Sequence, residues 1–329
     1  MSIEPSARGA TPAEAAQVPS AAMIGEAAAR IAGHVRRTPV IDWSLPVNGR
    51  RLEVTLKLEL LQHVGSFKPR GAFNRILSAT QTPEVVVAAS GGNHGLAVAF
   101  AARQLGIAAA VYVPTTAPRL KVDGIRALGA ETLLVGKTYA EASEACRTRA
   151  RAPGALHVHA YDQIEVVTGQ GTLARELDDQ APDLDTVLVA TGGGGLVGGT
   201  AAWYRRRARI ISVEPQGAPT LHAALAAGAP VDVEVGGLAS DALGAGRIGA
   251  HGFACANAAG VQAVLVSDAA IVHARQLLWD DLHLAAEPGG ATALAALLDG
   301  TYRPADDERV GIVVCGANAD PRDLVAEIG

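Results

Sequence analysis

The sequence predicts an α/β fold, with a large parallel-sheet domain and a smaller α/β domain inserted into it. Short β-branched runs alternate with longer Ala- and Leu-rich stretches along the 329 residues, as in parallel strands joined by helices. Several of the strand candidates are apolar at almost every position, as strands covered on both faces must be. Aromatic residues make up only 4% of a chain that is 49% hydrophobic, so the core is built mainly of Ala, Val, Leu and Ile.

In chain order, strands are expected at Val54–Leu58, Val85–Ala89, Ala109–Val113, Glu131–Val135, Thr186–Ala190, Arg209–Val213, Ala263–Val266 and Val310–Val314. Helices are expected at Ile24–Ile31, Pro69–Leu77, His94–Leu105, Pro118–Leu128, Tyr139–Arg149, Glu165–Leu177, Leu196–Arg207, Ala269–Leu282 and Thr292–Leu298. The consecutive β–α units of residues 83–160 suggest a small sheet of their own. Residues 21–82 and 161–329 would then form the large domain, with a ligand cleft between the two. Residues 1–20 read as a disordered tail, and the glycine-rich Val231–Asn257 as loops beside the cleft.

A net charge of −5 gives no reason to expect nucleic acid or an anionic membrane as a partner. Cys146, Cys255 and Cys315 are too far apart for a disulfide framework or a CxxC metal site, which fits a reducing compartment. The start of the chain lacks the apolar run of a signal peptide. No segment approaches the ~20 apolar residues of a membrane span, so a cytoplasmic protein is expected.

Four segments carry chemistry. Gly192–Gly195 joins an apolar strand to a helix; successive glycines let backbone N–H groups approach a phosphate, and the helix N-terminus adds a favourable field. No Lys-Ser/Thr follows, so this is not a nucleoside-triphosphate loop, although a dinucleotide fits as well as a smaller phosphate. Lys68 precedes Pro69, a natural first helical residue, and is either a solvated charge or an amine held neutral for imine chemistry. Ser90-Gly-Gly-Asn-His94 lies between a strand and a helix and offers a nest for a carboxylate or a helix cap. Cys315 ends an apolar strand as a buried thiol.

Together these segments resemble the fold-type II pyridoxal-phosphate enzymes, and most closely their serine/threonine dehydratase (ammonia-lyase) branch. Ser-Phe-Lys-Pro-Arg-Gly-Ala at Ser66–Ala72, Ser-Gly-Gly-Asn-His at Ser90–His94, the tetraglycine loop and Cys-Gly-Ala-Asn at Cys315–Asn318 stand in the family's order. Val213-Glu-Pro and Glu287-Pro-Gly-Gly-Ala also match, and the similarity runs over about residues 25–325. The resemblance implies a tryptophan synthase β-like architecture, pyridoxal 5'-phosphate as cofactor, a mobile small domain and a homodimer. It implies Lys68 as the Schiff-base lysine, with Phe67 flanking the cofactor ring and Asn93 bonded to its hydroxyl. Gly192, Gly193, Gly194, Gly195 and Leu196 would hold the phosphate, and Cys315 would face the pyridine nitrogen. Ser90, Gly91, Gly92, Asn93 and His94 would surround the substrate carboxylate. Glu287 falls near the cofactor in this family, without an assigned role.

The expected reaction is β-elimination from a β-hydroxy α-amino acid such as L-threonine or L-serine, giving a 2-oxo acid and ammonia. A thiol opposite the ring nitrogen leaves that ring neutral, which favours prompt loss of the β-hydroxyl. Serine racemases carry a serine where this chain has Gly91, which has no side chain to move a proton, so racemisation is a disfavoured alternative of the same fold. Their divalent cation would find Glu214 and the Ala218 carbonyl here, but Thr220 stands at the usual acidic third position, so both are weak metal candidates. Cysteine and threonine synthases have Lys-Asp-Arg in place of Lys68-Pro-Arg. A chain ending at Gly329 leaves no room for a C-terminal regulatory domain, so feedback control of the biosynthetic type is not expected. A reading from a different class is a dinucleotide-dependent oxidoreductase, with Gly192–Gly195 on the pyrophosphate and Glu214 on the ribose. A non-enzymatic binding module of the same fold is a further alternative.

Overall fold

The computed structural model describes residues 16–47, 49–117, 119–320 and 322. Residues 1–15 of the expected tail lie outside the described residues. Residues 16–20 are placed against the body: the Gln17 N–H donates to His251 Nδ1 at 3.0 Å and Ser20 caps the first helix.

The helices are α1 Ala21–Arg30, α2 Pro69–Leu77, α3 Asn93–Leu105, α4 Arg119–Ala127, α5 Tyr139–Ala150, α6 Ile164–Gln180, α7 Gly195–Tyr204, α8 Thr220–Ala227, α9 Ser240–Leu243, α10 Ala250–Ala259, α11 Asp268–Leu282 and α12 Pro288–Leu298. The strands are β1 Val40–Val47, β2 Arg50–Lys57, β3 Val85–Ala89, β4 Ala108–Val113, β5 Glu131–Leu134, β6 Ala155–His157, β7 Thr186–Ala190, β8 Arg209–Pro215, β9 Gln262–Val266 and β10 Val310–Val313. They form two sheets. One has the order β1-β2-β10-β7-β8-β9, and the other β5-β4-β3-β6. All pairings are parallel except β1 with β2, as crossover helices on both faces require. No described helix is long and apolar enough to cross a membrane.

Five elements, β1, β6, α8, α9 and α10, depart from the sequence-based expectation. β1 escapes the pattern because Pro46 interrupts it; as the antiparallel edge strand it tolerates a residue without an N–H. β6 has only three residues and sits at the other sheet's edge. α8 and α10 are Ala-rich and lack a clear apolar stripe. With α9, α10 also corrects the reading of Val231–Asn257 as loops throughout.

The six-stranded sheet and the helices around it share one large apolar cluster, including Leu56, Val187, Ile211 and Ile312. Beside it lies a buried charge network. Arg70 on α2 donates to both Glu59 oxygens at 2.8 and 2.6 Å, and to Glu176 on α6 at 3.1 Å. Lys57 at the end of β2 donates to the same Glu176 at 2.6 Å and to the Thr38 carbonyl at 2.8 Å. Burial pulls Lys57 below its ordinary value, against the opposing pull of Glu176. The network therefore fastens the start of α2 to the sheet edge and to α6. Removing one partner leaves a buried charge unpaired. Arg70→Met is expected to lose about 3–5 kcal/mol in urea unfolding, far more than an exposed pair such as Arg147–Glu144 would cost.

Candidate functional site

Lys68 is set by the chain around it. Val64 (φ 51°) and Gly65 (φ 70°) both take left-handed backbone, reversing the chain before Ser66. The next residues are stitched to the end of β10: Phe67 N–H donates to the Cys315 carbonyl at 3.3 Å and Ala317 N–H to Gly65 at 2.8 Å. The Asn318 amide donates to the Val64 carbonyl at 2.7 Å and to Asn93 Oδ1 at 2.8 Å. Pro69 then opens α2, so Lys68 stands at a junction fixed on both sides. Its Nζ donates to the Ala160 carbonyl at 2.9 Å and lies 5.1 Å from the Phe67 ring centroid. Burial pulls its ammonium from 10.5 down to about 8, against the charges of Cys315 and Glu287.

A cavity of about 390 Å³ opens over this amine, lined by Lys68, the whole Ser90–His94 loop, Gly193, Tyr161 and residues 240–246. Phe67, Leu196, Cys315 and the other three glycines are outside its lining. The Ser90–His94 loop begins α3: Ser90 Oγ accepts from the Gly92 N–H at 3.1 Å. The N–H groups of Gly91, Asn93 and His94 have no protein acceptor among the described residues, so they offer donors to an anion. His94 Nε2 lies 2.8 Å from the Val158 carbonyl and therefore carries the proton. Burial holds His94 well below its ordinary value, so the ring is neutral. His159 Nδ1 accepts from the Asp162 N–H at 2.9 Å, and burial pulls this ring down to about 4.

The Asn93 amide donates to Glu287 Oε1 at 2.5 Å. Glu287 is the N-cap residue of α12, and burial raises it above the ordinary carboxylate range against the charge of Lys121. Cys315 donates its thiol to the Gly289 carbonyl at 3.4 Å, and burial pushes it up to about 12. It stays a thiol at neutral pH.

Gly192–Gly195 leads from β7 into the N-terminus of α7, with Gly194 at φ 91°. The N–H groups of Gly192, Gly193 and Gly194 have no protein acceptor among the described residues. Side chains are excluded on several sides: a Cβ at Gly193 would collide with the Tyr161 ring, one at Gly192 would stand 2.8 Å from the Leu243 carbonyl, and one at Gly194 would stand 2.8 Å from Ile248. This bare backbone at a helix start, opposite a buried amine, fits an aldehyde cofactor carrying a phosphate.

Glu214 is a correction. It is buried at the end of β8, with its oxygens taken by the N–H groups of Leu221 at 2.7 Å and His222 at 2.8 Å at the start of α8. Thr220 Oγ1 lies 3.0 Å away. Its oxygens are spent on a helix N-terminus, so the geometry offers no support for the ribose contact of the oxidoreductase reading. Ala218 is buried beside it, and no group of three metal-ligating side chains occurs among the described residues.

Nothing in the sequence points to Tyr161, Asp241 or Lys121. Tyr161 follows the carbonyl that holds Lys68, and Asp241 lies in the glycine-rich stretch. Only spatial proximity exposes them.

The Pyridoxal-phosphate dependent enzyme family model matches residues 31–316. A phenylserine dehydratase of Ralstonia pickettii is 36% identical over 95% of this chain and 97% of its own length. A biosynthetic L-threonine dehydratase of Mycobacterium leprae is 37% identical, over 97% of this chain and 76% of its own. Among solved structures, maize serine racemase aligns with a TM-score of 0.88 at 32% identity, over 95% of this chain and 97% of that one. A threonine deaminase from T.th. aligns with a TM-score of 0.83 at 32% identity, over 92% and 99%.

The displaced Lys68 titration gives a stability test on cofactor-free protein. Between pH 8 and 10.5 the unfolded chain holds a proton that the folded one has lost, so folding stability rises with pH there. Lys68→Met is expected to gain roughly 3 kcal/mol at pH 7 in urea unfolding, the gain shrinking to nothing as pH passes from 8 to 10.5.

Proposed function

This chain belongs to the pyridoxal-phosphate dependent enzymes of fold type II, and we propose that it is an ammonia-lyase acting on a β-hydroxy α-amino acid such as L-threonine or L-serine. One observation carries the choice of reaction. Lys68 faces the cavity from one side, and Gly91 occupies the loop position from which serine racemases act with a serine.

The proposed roles follow from the geometry. When bound, pyridoxal phosphate supplies an aldehyde for the substrate amine and an electron sink for the charge left on Cα. The backbone N–H groups of Gly192–Gly194 and the first turn of α7, where Leu196 lies, hold its phosphate. Phe67 packs beside Lys68 and fixes the approach of the amine. Asn93, braced by Glu287 and Asn318, presents its amide toward the ring hydroxyl. Cys315 keeps its proton, so it supplies no charge to hold one on a ring nitrogen.

The free N–H groups of Gly91, Asn93 and His94 take the substrate carboxylate. His94, neutral and bonded to Val158, shapes that end of the site without adding charge. Lys68, drawn toward its neutral form by burial, removes the Cα proton. Loss of the β-hydroxyl as water, followed by hydrolysis of the resulting enamine, balances as amino acid to 2-oxo acid plus ammonia.

Racemisation is disfavoured by space as well as by the absent hydroxyl. A Cβ at Gly91 would stand 2.8 Å from the Ala117 Cβ and 2.9 Å from a Val113 methyl. Residues 83–160 acting as a mobile small domain and a homodimer are part of the same proposal, supported by the family resemblance; a cytoplasmic location joins it on the widely spaced, unpaired cysteines.

Holoenzyme mixed with L-threonine or L-serine is expected to release 2-oxobutyrate or pyruvate with ammonia, and Lys68→Ala to release none. The phenylserine dehydratase relative makes 3-phenylserine a necessary third substrate in that panel. Absence of keto acid from every β-hydroxy amino acid tried would sink the proposal. For the racemase reading, Gly91→Ser alone is expected to lose activity and stability without racemising serine. Gly91→Ser with Ala117→Gly and Val113→Ala, which removes both close neighbours, is expected to gain Cα hydrogen exchange measurable by deuterium incorporation.

A further inference from the structure

Residues 233–246 form a flap with a closed neck. Val233 N–H donates to the Gly246 carbonyl at 2.9 Å, and Asp232 pairs with Arg247 at 3.2 Å. One shoulder is pinned to the six-stranded unit: Gly236 N–H donates to the Gly217 carbonyl at 2.9 Å and Leu238 N–H to Asp268 at 3.0 Å. The tip is α9, whose residues roof the cavity. It rests on bare backbone. The Asp241 carbonyl would stand 3.6 Å from a Cβ at Gly92, and Ala242 2.7 Å from one at Gly289.

The tip is also tied across the cleft. Asp241 pairs with Lys121 of α4, which belongs to the four-stranded unit. Among the described residues this is the one ion pair between the flap and that unit. The Lys121 side chain is only 8% exposed while that of Asp241 is 50% exposed, so a buried cation reaches out to a carboxylate at the cavity mouth. Lys121 also acts on Glu287, the carboxyl that braces Asn93. One ammonium thus pairs with one carboxylate of the opposite unit and acts electrostatically on a second.

We propose that Lys121 and Asp241 are positioning residues whose ion pair clamps the 233–246 flap over the cavity, and that substrate entry and product exit require its release. Neither residue contacts the reacting atoms. They set the fraction of enzyme whose carboxylate site is roofed, so weakening the clamp raises the apparent substrate constant in proportion to the closed fraction lost. Maximal rate, set with the flap seated, changes little.

The clamp is read by amide hydrogen exchange in the holoenzyme, comparing wild type with Asp241→Asn and Lys121→Met. Exchange in residues 233–246 is expected to quicken on the order of tenfold in both variants, with β7 and α12 unchanged and Asp241→Glu restoring much of the protection. In steady-state assays KM for the amino acid is expected to rise as the closed fraction falls, by a smaller factor than the exchange rate, with kcat within about twofold. Exchange of the flap unchanged in both variants overturns the proposal. So does faster exchange spread evenly through β7 and α12, which marks general destabilisation. Exchange reads the clamp whichever amino acid is turned over, so failure of the lyase assay and failure of the clamp are told apart.

Discussion

The site depends on one buried set of charges. Arg70, Glu59, Glu176 and Lys57 lie where α2, the end of β2 and α6 converge, and none of them faces the cavity. A guanidinium taken out of water is tolerable only when its donors are met, and here two carboxylates meet them. The geometry that satisfies Arg70 also fixes the first turn of α2 and so the backbone of Lys68, two residues earlier. The Lys68 amine, which lines the cavity, is held by the electrostatic needs of a neighbour that does not face it.

Segments whose meaning is local were legible in the sequence. The glycine run, the Lys-Pro junction and the apolar strands each signal their conformation through their own residues, and the order of the motifs supplied the rest. Features that depend on distant partners were hidden. Glu214 shows this best: an acid at a strand end, at a suitable distance from a glycine loop, suits a ribose contact, yet α8 folds back and consumes it. Since α8 was itself invisible to periodicity, one omission produced the other. Tyr161 and Asp241 belong to the same class, because their significance lies in what they face.

Gly91 was legible as an absence and became more specific in three dimensions. A missing hydroxyl removes one group that could deliver a proton from that side. The Ala117 and Val113 contacts add that neighbouring side chains already occupy the space a Cβ at Gly91 would need. The preference for elimination is therefore distributed over two segments of the four-stranded unit.

The contact between Gly193 and the Tyr161 ring joins two properties that are usually adjusted separately. Tyr161 lines the cavity, and its ring is also the surface against which the glycine loop packs. A residue exchanged there to widen the cavity leaves the glycine loop without the surface it packs on. Broadening the substrate range of this enzyme, by selection or by engineering, is therefore coupled to how firmly it retains its cofactor.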